Sequence, residues 1–435
     1  MTKKLTLLSL DEKLLVGILL LVFGGIVLHA PLSVWLGSLL SGNELLIKSW
    51  KEMLLGSALI LMMVVVSRRQ AWDIYQPKLF WLIGTYAALH LLLVPFFPSN
   101  LEQIAAGLLI NLRFLLFFGL VYGVLSLFPQ LRRLFVTIFF AGAVLVVGFA
   151  LLQATVLPPD LLRHIGYGPE TIMPFLTVDQ NMDYIRINST LRGPNPLGAY
   201  AGIVLAVVTA YWLLRKSSLN KKTTWLLGAL TIASGVALWA SYSRSALVAA
   251  TVAVLVVLAL VFAKRLSKVV ILALGVVALT FSGGLYAARD SDFVSHVILH
   301  EDPTEGNDVN SNDGHVESLI DGTDRLLRQP FGAGVGSTGS ASLLGDKPLI
   351  IENQYLFTAH ETGWLGLGLF LAIFVAVMRR LFARRKDWLA LGVFASGVGL
   401  ALIGLLLPVW VDDTVAIIWW GLAGVALCYY RGKHG

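Results

Sequence analysis

Three arginines lie in short stretches rich in small and polar residues, where their side chains could bind phosphate. Arg186 and Arg192 lie in YIRINSTLRGPNPLGAY, and Arg244 lies in SYSRSAL. A guanidinium group stays charged and can bind phosphate through two parallel hydrogen bonds. The alternatives are a salt bridge to an acidic residue, or an aliphatic stem in lipid with the charge among the headgroups. Because all three lie near the same predicted face of a membrane, we expect phosphate recognition.

Two further residues could transfer a proton. His315 opens a patterned stretch that follows an acidic, Asn-rich segment, and Glu352 precedes NQYLFTAHETGW. Histidine is suited to proton transfer near neutral pH, and a glutamate in a partly desolvated setting can do the same work. The structural alternatives are that His315 braces a short helix and that Glu352 caps the next apolar helix.

Other polar residues predict the wall of a substrate cavity. Four of them follow Glu352 at the outer end of an apolar segment: Asn353, Tyr355, His360 and Glu361. Ionisable residues within apolar segments normally face the protein interior or a water-filled cavity. Arg113 interrupts an earlier apolar segment, and both a structural partner and a contact with substrate remain open for it.

The glycine-rich run FGAGVGSTGS follows Pro330 and has two interpretations. Its backbone amides could bind phosphate. However, the run lacks the Gly-Lys-Ser/Thr ending of a P-loop. We therefore favour a tight turn that returns the chain to the membrane.

Membrane helices must position all of these residues. The 435 residues are 57% hydrophobic and 14% charged, whereas soluble domains are about 25% charged. The single cysteine, Cys428, permits no intrachain disulfide and no thiolate metal cluster. Repeated apolar runs of about 20 residues are typical of membrane helices. We predict twelve spans: 13–30, 53–67, 78–97, 102–127, 134–157, 194–214, 224–241, 244–263, 268–287, 354–378, 387–408 and 413–430.

The distribution of charge orients these spans. With both termini in the cytoplasm, most of the 33 basic residues fall in predicted cytoplasmic segments, and most of the 26 acidic residues fall on the other side. This asymmetry follows the positive-inside rule of a cytoplasmic (inner) membrane protein. The net charge of +7 therefore reflects topology, and we expect no nucleic-acid partner.

The predicted fold class is an all-α polytopic membrane protein with about twelve transmembrane helices. Residues 1–435 form a single integral-membrane domain with two sizeable external loops, 158–193 and 288–353. The larger loop lies between spans nine and ten. Apolar residues at helical spacing from 315 to 328 predict that it carries short helices.

The chain resembles the O-antigen ligase and polymerase family of membrane glycosyltransferases, which use undecaprenyl-diphosphate-linked glycans. The resemblance is carried by RGPNPLGAY, SRSAL and PFGAGVGS…ENQYL…ETGWLGLGLF within the twelve-span plan. Ligases of the family share a pattern of His, then Asn, Ser or Gln, nine residues, Gly, two residues, then Gly, Thr or Tyr. Here Asn353, Gly363 and Gly366 fit the spacing, while Glu352 stands where ligases have His. With an acidic residue at this position, the chain is similar to polymerase-type members of the family.

The resemblance implies a glycosyltransferase of cell-surface polysaccharide biosynthesis, with its active site on the external face. The donor would be a polyprenyl-diphosphate-linked oligosaccharide, and the acceptor a glycan, a lipid or a protein. Arg192, Arg244 and Arg186 would hold the diphosphate, and Glu352 or His315 would deprotonate the acceptor. Membrane lipid surrounds the protein, and no cofactor or metal is expected.

A secondary transporter is the alternative, and a scaffold for an envelope complex is a lesser one. Transporters usually bind substrate at the bilayer midplane on broken helices. Here the notable polar residues cluster at the outer boundary instead, and charge near the midplane is nearly limited to Arg113. The distribution of polar residues therefore favours the enzyme.

Overall fold

The computed structural model describes residues 8–40, 42, 44–178, 181–262 and 311–428, with the side chains of all of these except residues 44, 45 and 311–317. The described residues form the helices α1 Leu10–Gly25, α2 His29–Leu39, α3 Glu44–Lys48, α4 Trp50–Arg68, α5 Lys78–Leu93, α6 Leu101–Leu127, α7 Arg132–Thr155, α8 Pro194–Arg215, α9 Lys221–Ala240, α10 Arg244–Phe262, α11 Ser311–Arg328, α12 Gly339–Ser342, α13 Gln354–Ala383, α14 Trp388–Ile403 and α15 Asp413–Leu427.

Nine stretches of the described residues are helical, long and apolar enough to cross a membrane. They match the first eight predicted spans and the tenth. The shorter apolar helices α14 and α15 match the last two, while the predicted span 268–287 lies outside the described residues. A mostly helical, multi-pass membrane class is therefore confirmed, and the count of twelve stays a prediction.

A two-stranded hairpin corrects the expectation of an all-α chain. Strands β1 Phe175–Val178 and β2 Asn181–Ile187 pair antiparallel, with Phe175 opposite Ile187 and Leu176 opposite Arg186. The segments FLTV and NMDYIRI are rich in aromatic and β-branched residues, which favour strands. The hairpin lies within the predicted external loop 158–193.

Ion pairs join neighbouring helices at one end of the bundle, called here the basic end. Arg68, in the last turn of α4, pairs with Asp11 in the first turn of α1 at 2.9 Å. Arg132 begins α7 and pairs with Asp387, which caps α14, also at 2.9 Å. These contacts bring together helix ends that the charge pattern predicts to share one side of the membrane.

The core centres on α15, which packs against α6. Trp419 and Trp420 are fully buried, and the Trp420 ring centroid lies 5.2 Å from that of Phe114. At Gly421 an added Cβ would lie 2.7 Å from the Phe117 ring, so the absence of a side chain allows the close approach. Packing of this kind holds helices together where lipid offers no hydrophobic contrast. The packing of α15 against α6 fixes the position of α6 along its axis relative to the start of α15.

Candidate active site

A cavity of about 420 Å³ lies at the opposite end of the bundle from the basic end, beside the starts of α4 and α15. Eight of the residues that line it are ionisable: His29, Lys48, Lys51, Arg113, Glu170, Arg192, Asp412 and Asp413. The cavity is thus a polar site at the end of the bundle that the charge pattern predicts to be external.

Asp413 is the centre of an ion-pair network in the cavity wall. Its carboxylate pairs with Lys51 at 2.8 Å, with His29 at 3.3 Å and with Arg113. Asp413 is the first residue of α15, where the helix dipole favours a negative charge. Lys51 also pairs with Glu52 at 3.2 Å. Because each buried charge has opposite charges beside it, the network offsets its own desolvation cost.

Arg113 has the structural partners that the sequence left open, and a contact with substrate stays a prediction. Besides its ion pairs, it donates a hydrogen bond of 2.6 Å to the Val411 carbonyl. Arg113 lies about 18 Å from Leu101 along the axis of α6. Its side chain nevertheless reaches Asp413, because α15 begins beside this part of α6. The guanidinium therefore lies in the network at the cavity rather than isolated among apolar residues.

Arg192 lines the same cavity and stands apart from the network. Within the described part of the chain it makes no hydrogen bond and no ion pair, and its side chain is exposed. Asp412, beside it in the cavity wall, caps α15 by accepting a 2.9 Å bond from the Val415 amide. Burial raises the pKa of the Asp412 carboxyl, while the Val415 bond and the charges of Arg192 and Arg113 oppose the shift.

Arg186 ties the hairpin to the turn that immediately precedes Arg244. It donates to the Ser241 carbonyl at 3.0 Å and to the Asn195 side chain at 2.8 Å. Ser241 lies in the turn between α9 and α10, and α10 begins at Arg244. Two of the three predicted phosphate-binding arginines therefore lie on connected segments, while the third, Arg192, lines the cavity.

Asn353 and Tyr355 fasten the start of α13 to the end of α14. The Asn353 side chain accepts bonds from the Tyr355 and Leu356 amides at 2.9 and 3.0 Å and donates to the Leu405 carbonyl at 2.7 Å. The Tyr355 hydroxyl donates to the Ala401 carbonyl at 2.8 Å. These contacts position the partly buried Glu352 immediately before α13. A substrate contact for either residue stays a prediction, since neither lines the cavity.

Glu361 and His360 bind the glycine-rich run to α13. The buried Glu361 carboxylate accepts a 3.0 Å bond from the Gly336 amide and another from the Asn111 side chain. The His360 carbonyl accepts from the Ala333 amide at 2.6 Å. A helix break at Gly363, with a φ of 69°, makes room for this packing. The run is therefore a partly buried turn, and several of its amides bond to the protein, which favours the turn over a phosphate cradle.

His315 lies on α11, and its side chain is outside the described residues. The helix packs through Leu319 and Leu326 against a cluster that contains Ile351 and Leu356. Trp364 strengthens this contact by donating a 2.7 Å bond to the Leu326 carbonyl. The predicted short helix in the large loop thus packs beside Glu352, and the role of His315 stays a prediction.

Lys51 and Asp413 are residues of the cavity wall that the sequence analysis did not select. Lys51 lies at the predicted outer end of a span, where basic residues are disfavoured. The same rule disfavours the three arginines on the predicted external side, and applied to Lys51 it could have found this residue too. No local pattern distinguishes Asp413 from an ordinary turn residue, because its partners come from three other helices.

Comparison with known proteins gives one family. Residues 229–371 match the family model described as O-Antigen ligase. The matched stretch begins within α9 and ends within α13, and it includes Arg244, Glu352 and Gly363. Arg113, Arg186 and Arg192 lie before it. No curated protein matches the chain. The match confirms the resemblance to the O-antigen ligase family.

Proposed function

We propose that this chain, which carries an O-antigen ligase family region at residues 229–371, is a glycosyltransferase acting on lipid-linked glycans. It transfers or polymerises a polyprenyl-diphosphate-linked oligosaccharide onto an acceptor hydroxyl at the external face of the cytoplasmic membrane. The family match supports a glycan-transferring activity in general, and it gives no support to a secondary transporter.

One observation supports the proposal that the cavity binds the donor diphosphate. Arg192 faces the cavity of about 420 Å³ without a hydrogen bond or ion pair to any described residue. The neighbouring Arg113 and Lys51 are matched by Glu52 and Asp413. The guanidinium of Arg192 is therefore available for a bidentate contact with phosphate.

The remaining arginines extend this anion site. Arg186 lies on β2 and joins it to the α9–α10 turn through Ser241 and to the first turn of α8 through Asn195. Arg244 follows the α9–α10 turn as the first residue of α10. Arg192 lies three residues before Asn195, so the three arginines belong to connected segments. Together they would hold the diphosphate and stabilise the charge that develops on it as it leaves.

Glu352 has a position consistent with a general base. It adjoins Ile351, which packs in one apolar cluster with Val411, and Val411 also lines the cavity. The acceptor would therefore approach from the start of α13, with its hydroxyl directed toward the donor. His315, on the adjacent helix α11, is the second choice for this role.

The reaction balances without a nucleotide or a cofactor. The acceptor oxygen attacks the anomeric carbon as Glu352 takes the hydroxyl proton, so a new C–O bond forms. The bond from the anomeric carbon to the diphosphate oxygen breaks, and the polyprenyl diphosphate leaves with the electron pair. Direct attack inverts the configuration at the anomeric carbon. The polyprenyl tail lies in the membrane, which explains why the enzyme is built from membrane helices.

A reconstituted transfer assay tests the proposal. Purified protein in detergent is given a labelled polyprenyl-diphosphate glycan and an acceptor, with no nucleotide sugar. We expect a transferred or elongated product and release of polyprenyl diphosphate. Comparison of a lipid, a glycan and a protein acceptor identifies the physiological class. Absence of transfer with every donor, together with ion- or proton-coupled uptake in liposomes, would establish the transporter instead.

A further inference from the structure

We propose that the basic end of the bundle binds the headgroup of an anionic phospholipid. A cavity of about 270 Å³ lies there, where α5 begins and α6, α13 and α15 end. Its walls include Leu79, Phe80, Tyr122, Arg380, Arg384 and Leu427. This site is at the opposite end of the bundle from the candidate active site, and its occupation does not depend on the reaction proposed above.

The apolar part of the cavity suits an acyl chain. Phe80 and Tyr122 pack with their ring centroids 4.9 Å apart. Leu79 and Leu427 are nearly fully buried beside them. A lipid can place its first methylene groups against such a wall while its phosphate stays at the end of the bundle.

The two arginines differ in how their charges are used. Arg384 donates to the Ala426 and Cys428 carbonyls at 3.0 and 3.2 Å, so it caps the end of α15. Arg380 makes one long bond of 3.4 Å, to the Ala376 carbonyl of its own helix. In the part of the chain that the structure describes, Arg380 has no ion pair.

Other arginines at the basic end do have carboxylate partners. Arg68 pairs with Asp11 and Glu12, and Arg132 pairs with Asp387. No acidic residue among those described lines the cavity of Arg380. A partly buried guanidinium beside apolar walls needs an anion to offset its desolvation, and a phosphate offers two oxygens to its fork of donors.

The location favours a lipid over a soluble anion. Basic pockets between helices at the positively charged side of a membrane attract anionic headgroups. A soluble phosphate would use the arginines but leave the aromatic and aliphatic wall uncovered. An anionic phospholipid satisfies both parts of the cavity.

Native mass spectrometry of the purified full-length protein tests this site. The protein in detergent is titrated with phosphatidylglycerol or with phosphatidylcholine of the same acyl chains. We expect phosphatidylglycerol to bind more tightly, and Arg380→Gln to weaken it about fivefold, as expected for one basic residue near anionic lipid. Arg379→Gln is the matched control, because it removes the same charge from the adjacent, exposed position outside the cavity. Arg380→Lys keeps the charge and should retain most of the preference.

Three outcomes would overturn the proposal. The first is equal binding of phosphatidylglycerol by Arg380→Gln and Arg379→Gln. The second is equal binding of the two lipids by the unaltered protein. The third is full displacement of phosphatidylglycerol by glycerol phosphate at the same concentration, which would show a site for soluble anions. If Arg380→Gln does not fold, Arg380→Lys takes its place. A preference of Arg380→Lys for phosphatidylglycerol that survives glycerol phosphate would support the lipid site, and equal binding of the two lipids or displacement by glycerol phosphate would contradict it.

Discussion

The Glu361 carboxylate, two residues before the break in α13 at Gly363, accepts a hydrogen bond of 3.0 Å from the amide of Gly336. Its second oxygen is bound by the Asn111 side chain of α6. One buried side chain thus joins the glycine-rich turn, the broken helix and α6. Gly336 itself has a φ of 81°, and a Cβ there would collide with the Gln103 carbonyl of α6.

Removal of this carboxylate should destabilise the protein. Glu361→Ala leaves the Gly336 amide and the Asn111 side chain buried without their acceptor, which should cost about 2–4 kcal/mol. Thermal unfolding in detergent measures the loss. The control is Asp324→Ala, which removes an exposed partner of Arg328 on α11 and should cost no more than about 0.5 kcal/mol. Equal melting temperatures for the two variants would show that Glu361 does not hold the turn.

Arg192→Ala should abolish glycan transfer while leaving the fold intact. The side chain has no hydrogen bond or ion pair within the described residues, so its removal should not change the melting temperature. Loss of a charge-stabilising donor from a reaction site costs about a hundredfold or more in rate. Arg163→Ala, at an exposed position of the same predicted external loop, should keep full activity. Unchanged turnover in Arg192→Ala would remove this residue from the site.

Glu352→Gln should abolish turnover and retain donor binding. The amide keeps the size of the side chain and cannot accept a proton from the acceptor. Steady-state transfer kinetics should show a loss in kcat of about a hundredfold or more. Glu102→Gln, at an exposed position on α6, is the control and should be fully active. If Glu352→Gln is active and His315→Ala is not, the general base is His315.

Arg113→Ala should destabilise the protein, and its effect should be coupled to that of Asp413→Ala. The single change leaves Asp413 and Glu52 with less positive charge beside them, which should cost about 3–5 kcal/mol. Arg113→Ala combined with Asp413→Ala removes both charges and should cost less than the sum of the two single changes. Unfolding measurements on the four proteins give the coupling energy. Strict additivity would mean that the ion pair adds nothing to stability.

The Asp412 carboxyl should make stability depend on pH in the acid range. Burial raises its pKa in the folded protein, so the folded state binds the proton more tightly than the unfolded state. The stabilisation that Asp412 contributes is therefore fully present below the ordinary aspartate pKa. It is lost as the pH rises through the raised pKa of the folded protein. Asp412→Asn keeps an effective helix cap and removes the titration. The melting temperature of the wild type should fall relative to this variant as pH rises, and a difference independent of pH would contradict the shift.

Several features of the protein were determined by the sequence alone. Apolar runs predicted the helices, which the structure confirms. Charge asymmetry predicted that their basic ends share one side, and the Arg68–Asp11 and Arg132–Asp387 pairs bring such ends into contact in two places. Motif order predicted the resemblance to the O-antigen ligase family, which the match over residues 229–371 confirms. These properties are local, because hydropathy and spacing act within one segment of chain.

Only the tertiary structure decided which side chains meet. It brings Lys51, Arg113 and Asp413 together from three helices, and it joins Arg186 to Ser241. It also breaks α13 at Gly363 and forms the hairpin in a loop predicted without strands. Lateral packing in a membrane depends on the fit of helix surfaces, since lipid offers no hydrophobic gradient that a sequence pattern could reveal.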